Sequence, residues 1–188
     1  MQKPVTALAA LLLGATTLAA QAPAPRSAPA TVRAAVAPAL DDPTIVAIFD
    51  AANTWDIETS ELALKKSHNA DVRRFAEMMV HDHTAVRQLG RDLAAKIHVT
   101  PTPPGKDFAL AKDHADVMKK LHKATGKAFD RAYIAHEAWY HQAVIDAVTT
   151  QLLPATQNGE LKALENKVAP NFVAHLAAAK DIEGKLPK

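Results

Sequence analysis

NADVRRFAEMMVHDHTAVRQLGRDLAAKI, residues Asn69 to Ile97, places Val72, Ala76, Met79, Val86, Gly90, Leu93 and Ile97 at alternating steps of four and three. That spacing keeps one face of an α-helix in line along its whole length. A strand, whose faces alternate every second residue, cannot produce it. Asn69 is a good N-cap for such a helix, because its side-chain oxygen can accept from the first unpaired backbone N–H groups. The one missing apolar step falls on His83.

Working outward, strong breaks stand at His68-Asn69, at the Pro101 to Gly105 cluster and at Pro154 to Gly159. Upstream, the spacing predicts a helix from Pro43 to Ser67 with Asp42 as N-cap and Pro43 at the first helical position. Its stripe reads Ile45, Ile48, Ala52, Trp55 and Leu62, and Glu58 falls inside it. Downstream, a short helix is expected over Phe108 to Lys123, followed by a long one from Ala128 to Leu153. The latter carries Ile134, Val144, Ile145, Val148 and Leu152 on a face that also holds His141. A last helix, capped by Asn158, carries Leu161, Leu164, Val168, Phe172, Ala179 and Ile182, with His175 completing the stripe. Pro170 is expected to kink it by freeing the carbonyl of Asn166.

The fold expected from this pattern is all-α: two helical hairpins joined by a crossover of about 28 residues, Val99 to Gly126, that contains the short helix. Such a crossover is long enough to set the second and third long helices parallel, as in ferritin-like four-helix bundles. Composition agrees. Forty of the 188 residues are alanine and only nine are aromatic, which favours helix over sheet. A formal net charge of +2, with both signs interleaved, offers no basic stripe for nucleic acid. The absence of cysteine removes disulfides, thiolate metal sites and a cysteine nucleophile together. No phosphate-cradling glycine loop, Gly-x-Ser-x-Gly or His-Glu-x-x-His motif is present, so nucleotide and hydrolase chemistry have no support.

The N-terminus reads as an export signal over residues 1–22. Lys3 gives the positive end, Val5 to Ala19 the apolar stretch, and Ala20-Gln21-Ala22 a small-x-small cleavage site. The apolar stretch is too short for a convincing membrane span. Residues 23–41, rich in Pro and Ala, read as an extended linker ahead of the bundle at 42–185. A periplasmic or otherwise exported protein is the expected product.

Each long helix therefore carries one potential ligand in its apolar stripe: Glu58, His83, His141 and His175. Counted from the turn near Asn69, Glu58 lies 11 residues back and His83 14 forward. Counted from the turn near Gln157, His141 lies 16 back and His175 18 forward. At ~1.5 Å per residue each pair sits within about one turn of the same depth. Imidazole and carboxylate together suit zinc, iron, copper or manganese, and ligand type alone does not choose among them.

Glu61, Asp56 and Glu77 are further carboxylate candidates, with Glu61 favoured as one turn beyond Glu58. Glu137 lies one turn before His141, where it can support that imidazole from behind, and His136 competes with His141 for the interior. His81 diverges from His83 on a helix, and His68, His98, His114 and His122 sit near turns or on the crossover, where exposure is expected. No Glu-x-x-His occurs, so the dinuclear carboxylate centre of ferroxidases and oxygenases is not expected. Three readings follow: a metal-binding bundle, a non-catalytic module whose His and Glu form a register-fixing network, and a redox enzyme with one open-coordinate metal.

Trp55-Asp56-Ile57-Glu58, Phe75 to Thr84, Ala128 to Tyr133, His141-Gln142-Ala143-Val144 and Ala169-Pro170 followed by His175-Leu176 together resemble a bacterial family of exported proteins of unknown function. Its members are often labelled outer membrane proteins and carry a ferritin-like four-helix domain. The resemblance covers residues 42–184 and implies the fold, export and the positions Glu58, His83, His141 and His175, but no reaction. Asp56 stands where that family often has Glu, and Trp139-Tyr140 add bulk beside His141. Helices with Lys, Arg and Asp every few residues are neither barrel strands nor membrane spans, so the label does not describe the bundle itself.

Overall fold

The computed structural model describes residues 40–105 and 109–187. The export signal expected at 1–22, and all but the last two residues of the linker expected at 23–41, lie outside the described residues. Four long helices follow: α1 (Asp42–Lys66), α2 (Ala70–Lys96), α4 (Gly126–Ala147) and α6 (Gly159–Lys185). A crossover helix, α3 (Ala109–Lys123), stands between α2 and α4, and a π-helical turn (Val148–Leu152) with one further turn, α5 (Leu153–Ala155), prolongs α4. No described helix is long and apolar enough to cross a membrane.

Three apolar layers fix the direction of each helix. At one end Leu62 and Ala63 of α1 and Val72 and Phe75 of α2 pack with Phe129 and Tyr133 of α4 and Leu176 and Ala179 of α6. At the other end lie Ile45, Val46 and Ile48 from the start of α1, Ala94 from the end of α2, Leu152 after α4 and Leu161 from the start of α6. The middle layer is Ala52, Val86, Tyr140, Val144, Leu164, Val168 and Phe172. α1 and α6 thus run one way, α2 and α4 the other. This is the ferritin-like arrangement, with the two central helices in sequence parallel and a crossover returning along the bundle. α3 makes that return over α1: His114 stacks on Trp55 at 5.5 Å between ring centroids, and Lys66 Nζ donates to the carbonyls of Leu121 and His122.

The turn chemistry is mostly as the sequence predicts. Asn69 and Asn158 each accept from the second and third backbone N–H groups of the helices they open. At α1 the cap is Asp41 rather than Asp42, accepting from Thr44 N at 2.9 Å. Asp42 is instead the first helical residue, and its carboxylate accepts from the N–H groups of Gln157 and Asn158, tying the start of α1 to the start of α6. α6 continues as one helix through Pro170. After α2, His98 adopts φ 55°, a left-handed conformation that glycine enters without a Cβ penalty. His98→Gly is expected to raise stability by about 0.5–1 kcal/mol, read as a higher urea midpoint at unchanged slope.

Candidate metal centre

Between the first and middle layers the bundle buries polar side chains where apolar packing would be the default. α1 turns a polar ridge inward there: Asn53, Asp56, Thr59 and Ser60 are all buried. The facing helices bring His83 from α2, Glu137 and His141 from α4 and His175 from α6, none more than 4% exposed. Donor nitrogens of His83, His141 and His175 lie within 4.8 Å of one another, and donor atoms of Asp56, Glu137 and His141 form a second group to the same limit. Asp56 Oδ2 is 3.5 Å from His83 Nε2 and 4.0 Å from His141 Nε2, so the two groups share one space.

The hydrogen bonds decide which nitrogen of each ring holds a proton. Asn53 donates from Nδ2 to the carbonyl of Phe49 at 2.7 Å, which orients its amide, so its Oδ1 accepts from His83 Nδ1 at 2.9 Å. His141 Nδ1 donates to the carbonyl of Glu137 at 2.9 Å. His175 donates from Nε2 to Asp82 Oδ2 at 3.0 Å. In the neutral rings the remaining nitrogens, His83 Nε2, His141 Nε2 and His175 Nδ1, therefore carry lone pairs. These three nitrogens are buried without a hydrogen-bond partner. Buried polar atoms are ordinarily satisfied. Here three orphan nitrogens converge beside the buried Asp56 and Glu137 carboxyls, and every imidazole is held from behind by an acceptor, the arrangement that presents ring nitrogens to a cation.

Electrostatics favours the same state. Burial lowers the His83 pKa to about 4, against the pull of Asp56 and with the help of the neighbouring imidazoles. Burial likewise lowers His175, although its bond to Asp82 opposes the shift. For Asp56 burial acts upward, but His83, His141, a bond with Glu137 and His136 outweigh it, so the carboxyl stays below its usual range. Glu137 is raised well above the usual carboxylate range by burial and by the charge of Asp56. The pair thus holds one negative charge and one proton. Thr59 Oγ1 lies 3.0 Å from Glu137 Oε1, and Tyr140 donates to the carbonyl of Ala52.

Of the four residues singled out on the helical stripes, the three histidines meet and Glu58 does not join them. Glu58 is on the outer side of α1, where its half-exposed carboxylate bonds His114 Nε2 at 2.8 Å. The inward carboxylate is Asp56; Glu61 and Glu77 are exposed. The inner face of α1 runs Ala52, Asp56, Ser60 and Ala63 with Leu62 beside it, whereas Trp55 is half-buried and Glu58 exposed. Hydrophobicity alone followed the wrong row because the true row is half polar. His141 is fully buried, whereas His136 is half-buried beside Trp139 and Tyr140. His114, expected to be exposed, has a side chain only 12% accessible because Trp55 covers it. Asn53 and Asp82, which set two of the three tautomers, were not anticipated. A signal existed, since each lies on the inner or flanking face one turn or less from a buried site residue.

The family described as "Domain of unknown function (DUF4142)" matches residues 27–182. Among curated proteins none matches. Solved structures similar in fold include two forms of CopM and a DUF305 protein. CopM in its Cu(II)-bound form is 16% identical with a TM-score of 0.61, covering 79% of this chain and 100% of CopM. The Ag-bound form of CopM is 17% identical with a TM-score of 0.61, covering 79% and 99%. A DUF305 protein from Streptomyces coelicolor, described as secreted, is 12% identical with a TM-score of 0.62, covering 76% and 91%. At these identities the likeness is one of fold.

Proposed function

The chain belongs to the DUF4142 family, and we propose that it is an exported metal-handling protein that binds one transition-metal ion in the bundle core. The carrying observation is the convergence of His83 Nε2, His141 Nε2 and His175 Nδ1, all buried and without a partner, on the buried Asp56 carboxylate. Three neutral imidazoles and one carboxylate form a borderline donor set, matched to Cu(II), Zn(II), Fe(II) or Mn(II). By the general affinity order Cu(II) binds tightest. That CopM has been solved with Cu(II) and with Ag bound supports metal handling on this fold. Cu(II) is preferred to Ag(I) here because no thiolate is available and the buried Met79 belongs to the apolar layer. Glu58 is left out of the proposed ligand set and Asp56 takes its place.

Glu137 adds a device for charge. A divalent ion beside Asp56 alone leaves a buried excess of positive charge, which draws the proton off Glu137. Binding therefore releases about one proton at neutral pH. Export rests on Lys3, the apolar stretch and the Ala20-Gln21-Ala22 site. The role is binding rather than turnover: Phe172 packs against His83 and His141 and closes one side of the cluster.

The test is elemental analysis of the untagged mature protein, exported to the periplasm and stripped of loosely held ions, beside the His83→Ala/His175→Ala double variant. One metal per chain in the first and none in the second is the expected result. No metal in either, with the protein fully folded, overturns the proposal in favour of a register-fixing polar network.

A further inference from the structure

Beyond Phe172 lies a second feature, which shares Asn53 and Phe172 with the surround of the metal centre but none of its proposed donors. A cavity of about 520 Å³ sits between α1, Leu110 of α3, the end of α4 and α6, within the roughly 300–1,000 Å³ typical of small-molecule sites. Two helix irregularities face each other across it. Val148, Thr149 and Leu152 come from the π-helical turn, where the helix is locally widened. Asn166, Ala169 and Pro170 come from α6, where proline removes the N–H that would pair with the Asn166 carbonyl. The cavity lies where the widened turn after α4 faces the proline of α6.

The lining is almost wholly apolar, and Glu165 is its one ionisable side chain among the described residues. Glu165 is 2% exposed. Its Oε2 is 2.9 Å from Thr156 Oγ1, which is also 2.8 Å from the Leu152 carbonyl. Threonine has one proton and cannot donate to both. The Leu152 carbonyl already accepts from Thr156 N at 2.8 Å, so the hydroxyl proton goes to Glu165 Oε2. Burial raises the Glu165 pKa, and the bond from Thr156 opposes the rise. Oε1 is an acceptor that is buried without a partner. The exposed residues Thr149 and Val173 mark the opening to the surface.

We infer that this cavity binds a neutral, mostly apolar molecule with a hydroxyl group, the hydroxyl donating to Glu165 Oε1 and the apolar body lying between the π-helical turn and Pro170. An anionic head finds no lysine, arginine or histidine in the lining, so an alkanoate is excluded where the matching alcohol is accepted. The inference does not rest on the metal, since none of the proposed metal donors lines the cavity.

The test uses the full-length mature chain after chelator treatment, with N-phenyl-1-naphthylamine as fluorescent reporter and 1-dodecanol or dodecanoate as competitor at pH 8. Dodecanol is expected to displace the reporter at a concentration at least ten-fold lower than dodecanoate. Glu165→Leu is expected to shrink that ratio, and Ala169→Trp or Thr149→Trp to weaken reporter binding at least ten-fold with helical circular dichroism unchanged. No reporter binding, equal displacement by the two competitors, or unaltered binding in a folded tryptophan variant overturns the inference. The competitor ratio is read on the unaltered chain, so the outcome does not depend on any variant folding.

Discussion

His83→Ala, His141→Ala and His175→Ala are each expected to lower the affinity for Cu(II) or Zn(II) at least 100-fold, because each removes one of four donors from a buried site that water cannot easily complete. Asp56→Asn is expected to do the same, because it takes away the anionic donor of the set. A graded second series follows from the tautomers. Asn53→Leu leaves all four donors in place but frees the His83 ring to present either nitrogen, and about 10–100-fold is the expected cost. Asp82→Ala acts in the same way on His175. Glu58→Ala and His68→Ala are expected to change nothing, because the first carboxylate is bonded to His114 outside the bundle and the second residue is exposed. Isothermal titration in a chelating buffer reads the whole series, and equal effects across it would sink the ligand assignment.

The second large effect concerns the metal-free protein in acid. In the fold His83 stays neutral down to about 4, whereas in the unfolded chain it takes up a proton near 6.5. Between those values the unfolded state binds more protons, so stability is lost as pH falls through the window. The difference corresponds to about 3 kcal/mol for His83. His136, also lowered to about 4, and His175, lowered as well, act in the same direction. Glu137 opposes them. Its raised pKa means that the fold holds a proton which the unfolded chain gives up at ordinary carboxylate pH, so its contribution declines as pH rises. Three histidines outweigh one carboxyl, and the urea midpoint of the chelated protein is expected to fall steeply from pH 7 to pH 5. His83→Leu is expected to flatten that curve, and bound metal to hold it up, because the ion occupies the lone pairs that protons would take. A midpoint independent of pH in this range would contradict the buried neutral state.

Much of this was legible in order of residues alone. The alternating step from Val72 to Ile97, broken at His83, specified both a long helix and its anomaly. The turn counts around Asn69 and Gln157 placed His83, His141 and His175 at matched depth without any coordinates. Periodicity works there because α2, α4 and α6 bury rows that are apolar on either side of a single histidine, so each anomaly has a clean frame. On α1 the frame is missing. Asn53, Asp56, Thr59 and Ser60 look like a solvated face by composition, and Trp55 looks like core. Burial differs because Asn53 and Asp56 meet histidines from another helix, while Trp55 is only half-buried, at the edge of the middle layer and under the crossover against His114.

By itself the sequence determined an all-α chain, four long helices with their breaks, a crossover long enough to make α2 and α4 parallel, and three histidines aimed inward at one level. These are local or one-dimensional properties, fixed by 3.6-residue periodicity, capping chemistry and the rise per residue. Tertiary structure alone decided that Asp56 and not Glu58 completes the cluster, that Asn53, the Glu137 carbonyl and Asp82 select the tautomers, and that a cavity opens where the π-helical turn faces Pro170. Each of these depends on which side chain of one helix meets which of another. A polar group is favourable in a core only when its partner, from a distant part of the chain, is already there to receive it.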